Sequence, residues 1–62
     1  METVANQALA EQLRSAVASV ASELDLEYID GMIAAEAWSE AVVSCRETAQ
    51  LHGLILPDEL TA

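Results

Sequence analysis

Apolar side chains recur at every third or fourth position from Leu9 to Leu24, and no glycine or proline occurs before Gly31. That period marks one side of an α-helix, because strand side chains alternate at every second residue. Leu9, Leu13, Ala16, Val17, Val20 and Leu24 fall within an arc of roughly 100°. Gln7, Glu11, Arg14, Ser15, Ala18 and Ser22 take the opposite side. The spacing predicts a first helix over about residues 3–24, with Leu9, Leu13, Val17, Val20 and Leu24 as its packing stripe.

A break is expected at Glu23-Leu24-Asp25-Leu26-Glu27, with Asp25 as the N-cap of a second helix over about residues 26–52. Glu27 and Asp30 then lie where the helix dipole favours negative charge. A start after Gly31 is the competing boundary. At the far end, His52 stands in the last turn, Gly53 suits a left-handed C′ residue and Leu54 the accompanying apolar contact. Pro57 keeps Leu56 out of the α region and is placed to open a last helical turn through Asp58 and Glu59.

On an unbroken second helix, Gly31, Ala34, Ala35, Trp38, Ala41, Val42, Cys45, Ala49 and His52 share one arc of mostly small residues. Trp38 is its one large knob. Ile29, Met32, Ile33 and Val43 lie off that arc, beside Glu36, Glu40 and Glu47. Such a helix has two apolar sides, one more than a hairpin can cover. The core is thin as well: of the 53% hydrophobic residues in the 62-residue chain, 12 residues are alanine. A chain this short buries only about 60% of the surface its unfolded form exposes. The fold expected is therefore an all-α antiparallel helical hairpin, a single domain over 1–62 with a short C-terminal tail. It pairs as a homodimer into a four-helix bundle, with Trp38, Val42 and Cys45 joining the first-helix stripe in the packing or dimer interface.

Charge narrows the function. Eleven acids against Arg14 and Arg46 give a net charge of -9, with no lysine. Nucleic acids and anionic membranes both demand clustered cations, so neither is an expected partner. A basic protein surface is compatible. Residues 1–12 hold two glutamates and no basic residue, unlike a secretion signal, and the longest uncharged run is the ten residues 48–57. Ten residues do not span a bilayer. The expected location is the cytoplasm.

Chemistry finds little footing. Cys45 is the single cysteine, so no internal disulfide forms. Its distance from His52 along a helix is roughly 10 Å, too far for one metal or one proton transfer. Glu36, Glu40 and Glu47 lack the Glu-x-x-His element of carboxylate metal sites. The stretch from Asp25 to Gly31 misses the register of a calcium loop. No carrier-type attachment serine is present. No catalytic residue, cofactor or metal ligand is predicted, and the chain reads as a non-enzyme.

The expected function is a small acidic interaction module, a regulator or inhibitor of antitoxin-like or anti-host-defence type that binds a basic protein. Its partner-binding residues would be Ile29, Met32, Ile33, Glu36, Glu40, Val43 and Glu47, with Leu54, Ile55 and Leu56 in the tail. The alternative is a docking or assembly domain of a larger multi-enzyme or multi-subunit system, binding through apolar helix and tail surfaces.

Overall fold

The computed structural model describes residues 4–61, and they form helices α1 (Val4–Val17), α2 (Glu23–Ala34), α3 (Trp38–Leu51) and a short α4 (Asp58–Thr61). No strand occurs among the described residues. The chain is all-helical, as its periodicity dictates, but it has three main helices where the spacing suggested two.

The first correction falls at the end of α1, which stops at Val17 rather than near Leu24. Ser19 Oγ donates to the Ala16 carbonyl at 3.5 Å, drawing a side chain onto a backbone acceptor at the helix end. A stronger signal follows. Ser22 Oγ accepts the Asp25 N–H at 3.1 Å, while the Asp25 carboxylate accepts the Ser22 N–H at 3.4 Å. This capping box satisfies two backbone donors at once. Ser22 is therefore the N-cap of α2, and Asp25 sits three residues inside the box instead of capping the helix itself. Leu13 and Val17 are fully buried, and Leu9 and Val20 pack against the core. Leu24 falls in α2, beyond the helix that carries Leu9, Leu13 and Val17, and is 77% exposed.

The second correction splits the predicted helix 26–52. It breaks between α2 and α3 with neither glycine nor proline to mark the place. Glu36 adopts φ 60 there. The Glu36 N–H donates to the Ile33 carbonyl at 3.0 Å and the Ala37 N–H to the Met32 carbonyl at 2.9 Å, the paired bonds of a Schellman motif. The reason for the break lies in packing. On one continuous helix Ile29 and Cys45, sixteen positions apart, would point about 160° away from each other. In the structure both are buried in the same core, at 1% and 0% exposure. The turn brings the two apolar sides of the predicted helix onto one interior.

The direction of α3 follows. Asn6 Nδ2 donates to Ser39 Oγ at 3.5 Å near the starts of α1 and α3. Further along both helices, Arg14 lies within electrostatic reach of Cys45. So α3 runs alongside α1 in the same sense, and the two-helix antiparallel hairpin gives way to a three-helix arrangement. Ala41, Val42, Cys45 and Ala49 bury their small side chains there, facing Ala10, Leu13 and Val17 within one cluster.

The C-terminal signals are realised. Gly53 has φ 66, its N–H donates to the Gln50 carbonyl at 3.2 Å, and the Leu54 N–H reaches the Ala49 carbonyl at 2.8 Å. Leu54 and Leu56 pack back on the core, and Pro57 leads into α4, whose Leu60 is 7% exposed. Arg46 Nη2 donates to the Leu60 carbonyl at 3.3 Å and holds this last turn in place. The accessible surface, 4121 Å², is close to the roughly 3,900 Å² usual for a monomer of this size. Leu13, Val17, Ile29, Ala41 and Cys45 are each at most 1% exposed within the single chain.

Candidate functional site

Leu24, Tyr28 and Met32 recur at every fourth residue of α2 and so share one side of it. That side lies beside the buried Ile29, with Met32 about 60° and Leu24 about 140° from it around the helix. Leu24 and Tyr28 are 77% and 68% exposed, while Met32 is half-buried against the core. Across from them, α3 presents Glu40, Val43 and Glu47 at i, i+3 and i+7, with Val43 54% exposed. Between the two helices lies a shallow groove of about 340 Å³ lined by Tyr28, Met32, Ser39, Glu40, Val43 and Ser44. Ser44 Oγ donates to Met32 Sδ at 3.7 Å, tying its two walls together.

The groove's electrostatics are one-sided. Arg14 grips Asp30 with Nε on Oδ1 at 2.9 Å and Nη2 on Oδ2 at 3.1 Å. This fork-to-fork pair joins α1 to α2, and the guanidinium holds the Asp30 carboxyl below its usual range. Arg46 serves the α4 turn. Both of the chain's arginines thus hold parts of the fold together, while Glu27, Glu36, Glu40 and Glu47 are exposed.

The residues singled out in the sequence are distributed unevenly around this feature. Met32, Glu40 and Val43 line the groove, and Glu47 lies one turn further along α3. Ile29 is corrected: it is a core residue, unavailable to a partner. Ile33 is half-buried against the core. Glu36 sits in the α2–α3 turn, so it does not continue the face of Glu40 and Glu47. In the tail, Ile55 is 92% exposed, whereas Leu54 and Leu56 pack inward. Trp38 is the first residue of α3 and half-buried, rather than the central knob of a seam. Gly31, Ala34, Ala35 and His52 of that seam are exposed. Tyr28, Ser39 and Ser44 were missed; the signal for Tyr28 was its place midway between Leu24 and Met32 on one helix face.

Cys45 is fully buried, and burial pushes its thiol up to about 11, well away from a reactive thiolate. His52 lies exposed at the C-cap of α3. No group of three or more metal-binding side chains occurs among the described residues, and no described helix is long and apolar enough to cross a membrane. No family model matches the chain, and neither a curated protein nor a solved structure is significantly similar to it.

Proposed function

We propose that this protein is a small acidic, non-enzymatic interaction module of the cytoplasm that regulates a basic protein by binding it. One observation carries the reading: an open apolar groove has the exposed Glu40 in its lining and Glu47 one turn beyond Val43 on α3, while both arginines are engaged within the fold. Apolar contacts in such a site supply affinity, and the uncompensated charge steers a cationic partner toward it. Affinity capture from a cell extract tests the proposal, with bound proteins eluted on a salt gradient. The wild-type chain retains a stoichiometric basic protein that the triple variant Glu27→Gln, Glu40→Gln, Glu47→Gln releases at low salt. Equal retention by both chains removes the electrostatic basis of the proposal.

A second reading rests on different residues. Leu51 at the end of α3 and Ile55 in the tail are 83% and 92% exposed, outside the groove. They suit a homodimer, completing a bundle between two chains, or a docking contact within a larger assembly. The turn at Glu36 brings Ile29 and Cys45 into one core, so a dimer would rest on Leu51 and Ile55. Sedimentation equilibrium of wild type and Ile55→Asp separates the cases. A dimer dissociated by that change favours self-association; a wild-type monomer throughout the micromolar range excludes it.

A further inference from the structure

We infer that the groove between α2 and α3 receives a single amphipathic α-helix with lysine or arginine along its flanks. This rests on the function proposed above and specifies the form of the partner. The floor of the site is helical on both sides, and no strand occurs among the described residues. An extended peptide laid there finds no sheet edge to satisfy its backbone, whereas a helix brings its own hydrogen bonds. Tyr28 and Met32 line the groove and Leu24 continues their side of α2 beyond it, about 12 Å in all, a length that two turns of an incoming helix match. Anchors spaced at three and four residues on that helix would meet Tyr28, Met32 and Val43.

The charge of the occupant follows from the walls. Glu40 lines the groove itself, while Glu27 and Glu47 are exposed on the helices that form it. A second copy of this chain would bring a net charge of -9 against -9. It would also set acidic walls against each other across any symmetric interface. A cationic helix reverses that repulsion at Glu40 and, one turn beyond Val43 on α3, at Glu47.

Titration with synthetic peptides tests the inference, with Trp38 emission and peptide circular dichroism as readouts. The first peptide, about 14 residues long, has leucines at helical spacing and lysines elsewhere; the second has the same composition scrambled. The amphipathic peptide is expected to bind one-to-one, to gain helicity, and to bind about tenfold tighter than the scrambled one. Val43→Asp and Tyr28→Ser, both at exposed positions, should each weaken it by about tenfold while the protein's own melting is unchanged. Val43→Asp adds an acid, so a purely electrostatic site would bind more tightly instead. Equal binding of both peptides overturns the helix-specific inference and leaves the acidic-module reading standing. Binding of neither overturns both. A wild-type dimer made monomeric by Val43→Asp shows that a second copy covers the groove, and also overturns the inference.

Discussion

Glu36 and Gly53 occupy the same conformational slot: each is the left-handed residue that ends a helix, with φ 60 and φ 66. Each donates its N–H back into the helix it terminates, to Ile33 and to Gln50. Glycine adopts this conformation at no steric cost, whereas a Cβ pays about 1–2 kcal/mol. The expected outcome is that Glu36→Gly stabilises by about 0.5–1 kcal/mol and Gly53→Ala destabilises by about 1–2 kcal/mol. Urea unfolding midpoints measure both, and Glu36→Gln separates charge from backbone. If the glutamine variant gains as much as the glycine variant, relief of repulsion explains the gain and backbone strain does not.

Cys45 gives a stability effect with a defined pH window. Its fully buried thiol is held neutral, with its pKa raised from 9.0 to about 11. A thiol that ionises less readily when folded contributes fully below the unfolded pKa. That contribution is lost as pH rises from 9.0 toward about 11, because the unfolded chain releases its proton first. Cys45→Ala should abolish this alkaline loss, and alkylation of the native wild-type thiol should be slow until denaturant is added. Fast native alkylation would sink the burial argument. Cys45→Ser should cost about 1–3 kcal/mol by placing a hydroxyl in an apolar site.

The Arg14–Asp30 pair predicts the opposite pH sign. The Asp30 carboxyl lies below its usual 3.8, chiefly through its hydrogen bond to Arg14. Its contribution is therefore complete above about pH 4 and is lost as pH falls through the lowered folded value. Both side chains remain partly exposed, at 34% and 51%, so salt should screen the effect. The melting difference between wild type and Asp30→Asn should shrink toward zero in strong acid and also in high salt. A difference independent of both would show that Asp30 acts through packing.

Much of the helical class was legible because its signals are local. Leu13 and Val17 announce a buried stripe by spacing alone, and Gly53 and Pro57 mark the end of α3 and the turn beyond it. The Glu36 turn was not legible in that way. No residue there favours a left-handed conformation, and the turn exists because Ile29 and Cys45 must reach one core. The two apolar sides of the predicted second helix are the trace of that demand, since a bend brings both onto one interior. The bend also carries Ile29 into the core and leaves Tyr28 exposed beside the groove. Ser22 and Asp25 show a subtler difference: an acid before a helical run has the chemistry of a cap, yet the serine three residues ahead of it completes a reciprocal box and takes that place.

Gly31 lies inside α2 with an ordinary helical backbone, and a Cβ added to it would meet nothing within 4 Å. It is exposed, so neither close approach nor positive φ requires glycine there. Gly31→Ala should stabilise by about 0.5–1 kcal/mol, the usual difference in a helix interior. A thermal melt checks this directly. Loss of stability would mean that α2 bends at Gly31 in solution.

Trp38 tests where the centre of the core lies. It opens α3 and is half-buried, whereas Leu13 on α1 is fully buried. Size alone would make tryptophan the costlier loss, since truncating a large buried aromatic removes about 3–5 kcal/mol. Partial exposure lowers that figure, because the transfer energy scales with the apolar area removed from water. Trp38→Ala should cost about 1–3 kcal/mol, less than Leu13→Ala, which leaves a closed cavity and should cost about 3–4 kcal/mol. Native emission should lie between the buried and solvated limits and move red on unfolding. A Trp38→Ala loss exceeding that of Leu13→Ala, with fully blue native emission, would place Trp38 inside an interface that a second chain completes. The groove bordered by Ser39 and Glu40 in the same turn would then be closed to a helical partner.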